Sequence, residues 1–369
     1  MVAAARLLLA ATGVTAVPVL ALAREAAPPP IEEAPAAPGA EPAPGPKLLI
    51  RGFGNIDLLK RWGQEPGSFT LGQLDVFLTS ELAEDLSVLA EIVFEGIEGE
   101  GEEPVLDVER YQIQYAPSDV FRIALGRLHT VLGYWNQTYH HGAWFQTTAF
   151  RPVVYRFEDE GGVLPIHEVG FQVFGAKAAG PLEFHYNLSL SNGRGGSSTE
   201  IQNYSDANGS KALNFWLNLA PRRVPGLQLG GVARFDTIPA GAGGSSPRET
   251  TERIFGGFLT YQQHGVEVLS EILSVRHEPE AGDRFRTLGL YAQAAYAFGR
   301  FKPYYRFDLL DLAEADPFFA ATGPGLRKHA LGLRADPWTF ACFKLEVSHE
   351  TPERAGSFDA LAVQVAFTF

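Results

Sequence analysis

The most restrictive feature of this chain is a two-residue alternation of apolar and polar side chains that begins at Lys47 and runs to the last residue. Successive side chains of an extended strand point to opposite faces, so alternation marks a strand with one apolar and one polar side. In 182–192, Leu182, Phe184, Tyr186, Leu188 and Leu190 share one face, while Glu183, His185, Asn187, Ser189 and Ser191 share the other. In 301–311, Phe301, Pro303, Tyr305, Phe307 and Leu309 oppose Lys302, Tyr304, Arg306 and Asp308. The first such segment sets Leu48, Ile50, Ile56 and Leu58 against Lys47, Arg51, Asn55 and Asp57. Helical spacing fits none of these. The same criterion predicts sixteen strands: 47–59, 68–81, 86–95, 106–115, 121–129, 168–176, 182–192, 211–219, 227–236, 253–263, 266–276, 285–298, 301–311, 326–334, 340–349 and 358–369. Segment 106–115 changes face midway, and 253–263 and 326–334 are ambiguous.

The connections between these segments alternate long and short, and the longest is the third long one, about 130–167. His264-Gly265 and Gly299-Arg300 read as two-residue turns. Short turns at one end and long loops at the other belong to a transmembrane up-and-down antiparallel β-barrel, with the long loops external. An even strand number then puts both termini on the short-turn side. The expected fold is therefore all-β, a closed barrel of about sixteen strands with a long third external loop.

A water-soluble sandwich also alternates, so the surrounding solvent needs its own argument. Sixteen consecutive hairpins in a sandwich would leave open edges, whereas a closed barrel has none. Tyr111, Tyr115, Phe121, Tyr261, Tyr296, Phe298, Phe301 and Phe340 sit near strand ends, as the aromatic girdles of membrane barrels do. The last strand places Leu361, Val363, Val365, Phe367 and Phe369 on one face and stops at an aromatic. Phe367 and Phe369 are expected to act as the assembly signal presented to the barrel assembly machinery. With lipid outside, the charged positions Arg51, Asp75, Glu91, Arg122, Glu183, Arg234, Arg306 and Lys344 are expected to face the lumen, and Glu346 belongs to the same polar set.

The N-terminus points the same way. Arg6 precedes an almost wholly apolar run, Leu7 to Leu22, and Ala21-Leu22-Ala23 is a small-residue cleavage site, so 1–23 reads as a cleaved signal peptide. Pro18 and the run's shortness argue against a membrane anchor, and no Cys follows for lipid attachment. Residues 24–46, rich in Ala, Pro and Glu and containing Pro28-Pro29-Pro30, read as an extended periplasmic linker, leaving 47–369 for the barrel. The chain carries 43 acidic and 30 basic residues for a net charge of −13, which becomes −14 once Arg6 is removed. That balance excludes nucleic acid as a partner. The single Cys342 forms no intramolecular disulfide, and no zinc-type cysteine spacing is present.

On these residues, 47–369 resembles a sixteen-stranded bacterial outer-membrane porin, within the porin-like group that includes the phosphate-selective porins. The local text that carries the likeness is Gly126-Arg127-Leu128-His129, His140-His141-Gly142-Ala143-Trp144 and Leu164-Pro165-Ile166-His167. No anion-binding ladder matches residue by residue, so phosphate specificity is not carried over. The resemblance implies a water-filled channel in a Gram-negative outer membrane for passive diffusion of small hydrophilic solutes or ions. It also implies a third loop folded into the lumen, contact with lipid and lipopolysaccharide, and a homotrimer. No cofactor is implied. The alternatives are an outer-membrane barrel enzyme, for instance a hydrolase, and a non-channel structural or adhesive barrel. No Gly-x-Ser-x-Gly or Ser-His-Asp set supports the enzyme. With only 24–46 ahead of the barrel, an N-terminal plug is disfavoured.

A channel needs no catalytic residue; its chemistry is the size and charge of its narrowest part. Within the third loop, Arg151 and Arg156 oppose Glu158, Asp159 and Glu160, a juxtaposition expected to set the field of a constriction. His129, His140, His141 and His167 bracket the same loop. Neighbouring residues on a strand point apart, so His140 and His141 share one ion only on irregular backbone. They are read as packing or hydrogen-bonding histidines, with no metal site. Glu95, Glu98, Glu100, Glu102 and Glu103 read as a solvated acidic loop, lacking the Asp-x-Asp-x-Asp-Gly of a calcium loop. Asn192-Gly193-Arg194-Gly195-Gly196 lacks the strand–helix setting of a phosphate cradle.

Overall fold

A computed structural model describes residues 45–369 except 64–65, 96–104, 202 and 242–247. The expected signal peptide, nearly all of the linker and the acidic loop 98–103 lie outside the described residues. The strands are β1 (Lys47–Arg61), β2 (Ser68–Ala83), β3 (Leu86–Glu95), β4 (Val105–Tyr115), β5 (Arg122–His129), β6 (His167–Ala179), β7 (Leu182–Ser191) and β8 (Ala212–Pro221). They continue as β9 (Leu227–Ile238), β10 (Thr250–Gln263), β11 (Val266–Pro279), β12 (Phe285–Tyr296), β13 (Phe301–Asp311), β14 (Leu326–Trp338), β15 (Ala341–Pro352) and β16 (Phe358–Thr368). Each coincides with one expected segment, with the ends shifted by a few residues.

Every strand pairs antiparallel with its sequence neighbours, and β16 pairs with β1 to close the ring. The closing register runs from Phe53 opposite Thr368 to Arg61 opposite Ala360. Gly52 and Phe369 exchange both backbone hydrogen bonds, at 3.0 and 2.9 Å, so the final residue is itself part of the wall. A side chain at Gly52 would run into the Asp75 carbonyl, 2.5 Å from the Cβ position, as well as the Phe369 ring. Each odd-numbered connection is longer than the even-numbered ones beside it. His264 and Gly265 both have positive φ, 53° and 79°, as a two-residue hairpin turn of the right twist requires.

The distribution of side chains inverts that of a soluble protein. Leu71, Leu106, Leu188, Leu217, Ile272, Leu331, Leu345 and Val347 are exposed on the outer face, while Asp75, Glu91, Arg234, Arg306, Asp308, Lys344 and Glu346 are buried. Of the expected girdle aromatics, Tyr111, Tyr115, Phe121, Tyr296, Phe298, Phe301 and Phe340 are all exposed, and all except Tyr111 lie beside the short turns. An apolar exterior over a closed hydrogen-bonded wall suits a hydrocarbon solvent.

The face change in 106–115 has a structural cause. Between β3 and β4 the register slips, Glu91 facing Arg110 but Ile92 facing Val108, so Glu109 is an extra residue in a β-bulge. Leu106 and Val108 point outward before it and Tyr111, Ile113 and Tyr115 after it. Bulges re-aim one side chain without opening the wall. Here the re-aimed group is the buried Glu109 carboxylate.

The ambiguity of 253–263 also has a cause. On this side of the barrel the inner face is largely apolar. Val232, Ile254, Phe258, Leu269, Leu273, Tyr291 and Leu310 are buried with Trp135, Val153, Val154, Tyr155 and Leu164 of the third loop and Phe318 and Phe319 of the seventh. Inner wall positions become apolar where loops, not water, cover them.

Two measurements test this topology. An epitope inserted within 205–209 or 354–356 should be labelled on intact cells, and one within 222–225 only after the outer membrane is opened; equal labelling would contradict the barrel's orientation. Phe369→Asp should lower the yield of folded, heat-modifiable protein in outer membranes, because it puts a charge on the closing seam.

Candidate functional site: the inner loop and the cavity beside it

The third loop, 130–166, leaves the wall at β5 and contains a short helix, α1 (Gly133–Thr138), and a 3-10 turn at Val153–Tyr155. Its side chains and backbone bond to strands all round the ring, which is possible only if it crosses the barrel interior. The fastening is systematic. The Glu271 carboxylate of β11 accepts the Tyr134 and Trp135 backbone N–H groups at 2.6 and 2.7 Å. It also accepts the Tyr155 and Tyr291 hydroxyls, each at 2.7 Å. The first two donors are the otherwise unpaired N–H groups of the first turn of α1. Gly133 makes this approach possible, since its φ is +85° and a Cβ there would collide with the Tyr155 hydroxyl and Glu271.

The opposite wall grips the loop's middle. Arg306 donates to Thr148 Oγ1 and the Phe150 carbonyl, both at 2.7 Å, to the Arg151 carbonyl at 3.0 Å, and to Asp308 at 2.8 Å. Lys344 donates to the Ala143 and Thr148 carbonyls and to Gln364. Asp308 accepts the Val153 N–H at 3.0 Å, and Glu346 the Ala149 N–H at 3.1 Å. Buried charges persist only when paired and hydrogen-bonded, and these are paired with loop backbone.

The positions expected to face the lumen therefore divide. Asp75, Glu91, Arg234, Arg306 and Lys344 are buried. Of these, Arg306 and Lys344 hold the loop, and Arg234 joins Asp236, Glu252 and Asn214 within the wall. Glu91 pairs with Arg110 at 2.5 Å. Arg51, Arg122 and Glu183 lie near the short-turn ends of their strands, where Arg51 is exposed, Arg122 meets Asp119 at 2.6 Å and Glu183 meets His185 at 3.0 Å.

Between the loop and the wall formed by β1, β2 and β14 to β16 lies a cavity of about 650 Å³. Its charged lining is evenly divided: Arg61, Arg151, Arg156 and Lys328 against Asp57, Glu160, Glu346 and Glu350. Three of the five expected constriction residues, Arg151, Arg156 and Glu160, are among these. Arg151 also braces the loop, donating to the Tyr155 and His140 carbonyls at 3.0 Å with its guanidinium 3.5 Å from the Phe157 ring centre. Glu158 turns away from the cavity, is fully buried, and accepts the Ile166 N–H at 3.1 Å. Burial pushes its carboxyl up to about 7. Asp159 is exposed and does not line the cavity.

The four histidines come together. His129 stacks on His140 with ring centres 3.4 Å apart. His140, His141 and His167 converge on Glu109, the bulge residue of β4. His140 has φ +39°, the irregular backbone that lets both adjacent imidazoles reach the same side. Glu271, Asp308 and Glu109 were not singled out from the sequence. Glu271 had one signal, an acid between Leu269 and Leu273 on the same strand face.

A closed sixteen-stranded antiparallel barrel is the architecture of the outer-membrane porins. Neither a family model nor a curated protein sequence matches the chain. In structure it is similar to the anion-selective porin from Comamonas acidovorans, with a TM-score of 0.62 at 12% identity over 88% of this chain and 100% of that one. It is similar to the outer membrane channel DcaP of Acinetobacter baumannii, with a TM-score of 0.62 at 9% identity over 90% and 99% of the two chains. It is also similar to the trimer form of OmpT, an outer membrane protein of Vibrio cholerae, with a TM-score of 0.57 at 8% identity over 88% and 100%. At these identities the likeness is one of fold.

The loop's fastening can be tested directly. Glu271→Ala leaves four buried donors without their acceptor, at about 1–3 kcal/mol each. The barrel wall should still form, because its ladder is untouched, but the heat-modifiable fold should melt at lower temperature and single-channel conductance should rise. Unchanged conductance in folded protein would mean that other contacts alone set the loop.

Proposed function

We propose that this chain is a porin of the bacterial outer membrane, passing small hydrophilic solutes and ions by passive diffusion without catalytic chemistry. The observation that carries the reading is the charged cavity left between the inward loop and one side of the wall. An inner loop that sealed the barrel would suit a structural protein; this one leaves a cavity on the β1, β2 and β14–β16 side. The anion-selective and channel-forming proteins of the same fold support the assignment. Export through the signal peptide at 1–23, recognition of Phe367 and Phe369 during assembly, and a trimer like that of the OmpT form belong to the same proposal.

Selectivity follows from the lining charges. Arg61 and Arg156 contribute two of its four positive charges, and neither fastens the loop as Arg151 does. Replacing both with Ala leaves two basic against four acidic groups at a place where screening is weak. Planar-bilayer recordings of the refolded wild type should show stepwise conductance. The Arg61→Ala/Arg156→Ala variant should move the reversal potential in a salt gradient toward cation preference. Protein that is folded yet electrically silent would refute the channel, and an unmoved reversal potential would place the pathway elsewhere.

A further inference from the structure

Glu109, His140, His141 and His167 offer one carboxylate oxygen and three imidazole nitrogens, all within 4.8 Å of one another and all buried. The contacts among them are those of a convergent set. His141 Nε2 lies 2.8 Å from Glu109 Oε1, His140 Nε2 lies 3.8 Å from Glu109 Oε2, and His140 Nε2 lies 2.9 Å from His167 Nε2. The His167 Nε2 contact with Glu109 Oε2 is closer still.

The hydrogen bonds behind two of the imidazoles aim them at this point. Asn136 Nδ2 donates to the Thr130 and Ile166 carbonyls at 2.9 and 3.2 Å, which turns Asn136 Oδ1 toward His140 Nδ1 at 2.8 Å. His140 Nδ1 therefore carries the proton, and the Nε2 of the neutral ring is a lone pair. His141 is held in the same way, with Nδ1 2.7 Å from Gln73 Oε1. The Nε2 atoms of both rings thus face the Glu109 carboxylate at one buried point, and a buried carboxylate needs a cation, a proton or a metal ion, beside it. An Nδ1–H donated to an amide oxygen, with Nε2 free, is how metal-ligating histidines are oriented.

We propose that Glu109, His140, His141 and His167 bind a divalent transition ion of the zinc class. Four N and O donors at 2.0–2.2 Å from a tetrahedral ion stand about 3.3–3.4 Å apart, inside the range the four already span. Three neutral imidazoles and one carboxylate suit zinc, cobalt or nickel, whereas calcium and magnesium prefer all-oxygen shells. His140 and His141 also line the cavity, so an ion reaches the site from lumen water. The bound ion ties the loop just after α1 to β4 and β6. This assignment is independent of solute passage.

The test uses refolded full-length protein without a polyhistidine tag. Cobalt(II) should bind at one equivalent with the visible absorption of a tetrahedral site, and zinc should displace it. Glu109→Gln and His141→Ala, shown to be folded by heat-modifiability, should abolish that spectrum. Asn136→Ala should weaken binding by roughly 10–100-fold. X-ray absorption at the zinc edge of the wild type needs no variant and should show a nitrogen and oxygen shell with imidazole scattering. Absence of stoichiometric binding, or binding that survives Glu109→Gln and His141→Ala, would overturn the proposal. Bilayer recordings of the same samples report on the channel separately.

Discussion

One carboxylate organises the interior. Glu271 accepts four hydrogen bonds inside the barrel, two from the start of α1 and two from tyrosines of loop and wall. A long loop inside a closed wall must satisfy its own backbone polar groups away from bulk water, and a short helix cannot satisfy its first N–H groups itself. Glu271 supplies those acceptors, Asp308 and Glu346 accept further loop N–H groups, and Arg306, Lys344 and Arg334 donate to loop carbonyls. Inner charges of such a barrel therefore have three uses. Some hold the loop, some pair within the wall, and some face the cavity, Glu346 doing the first and the last.

This division explains the asymmetry of the lumen. Over β9 to β13 the inner wall carries enough apolar surface to bury Trp135, Val153, Tyr155 and Leu164, and the loop settles there. Over β1, β2 and β14 to β16 the wall is polar; it meets the loop through hydrogen bonds at a few points and leaves a cavity beside them. The path of the loop is set by burial on one side and by charge-assisted hydrogen bonds on the other. Loops 4 and 7 follow the same logic: Arg194 meets Glu252 at 3.0 Å, and Asp316 meets His277 at 2.6 Å.

The strands were legible because their signal is local: period two over about ten residues is enough, and all sixteen segments coincide with strands. Even the defect was informative, since the face change in 106–115 is the bulge that turns Glu109 inward. Arg151, Arg156 and Glu160 were legible as a charge cluster and do line the cavity. Glu158 was not separable from them, because its burial depends on packing of the 157–166 segment back on itself. The fasteners were illegible for a related reason. Glu271 and its loop partners Tyr134, Trp135 and Tyr155 are more than a hundred residues apart, and no periodicity encodes such a pair. The histidines were visible as a bracket around the loop. Their common partner, Glu109, sat at the face change of 106–115, which marked the irregularity but not what the bulge turns inward.

The two ends of α1 complete the physical picture. Its first turn is held by Glu271 on β11, and the chain directly after it carries His140 and His141 to Glu109 on β4 and His167 on β6. In the ring of sixteen, β4 and β11 are seven strands apart, close to diametrically opposite. A six-residue helix is about 9 Å long, so with its flanking residues it acts as a strut across the lumen. A strut held at one end by neutral hydroxyls and amides and at the other by imidazoles has unequal supports. The Glu271 end holds amide and hydroxyl donors. The Glu109 end holds three imidazoles. Because His140 and His141 also border the cavity, the charge at that support acts on the cavity. The position of the loop and the field beside it are thus coupled through one cluster of side chains.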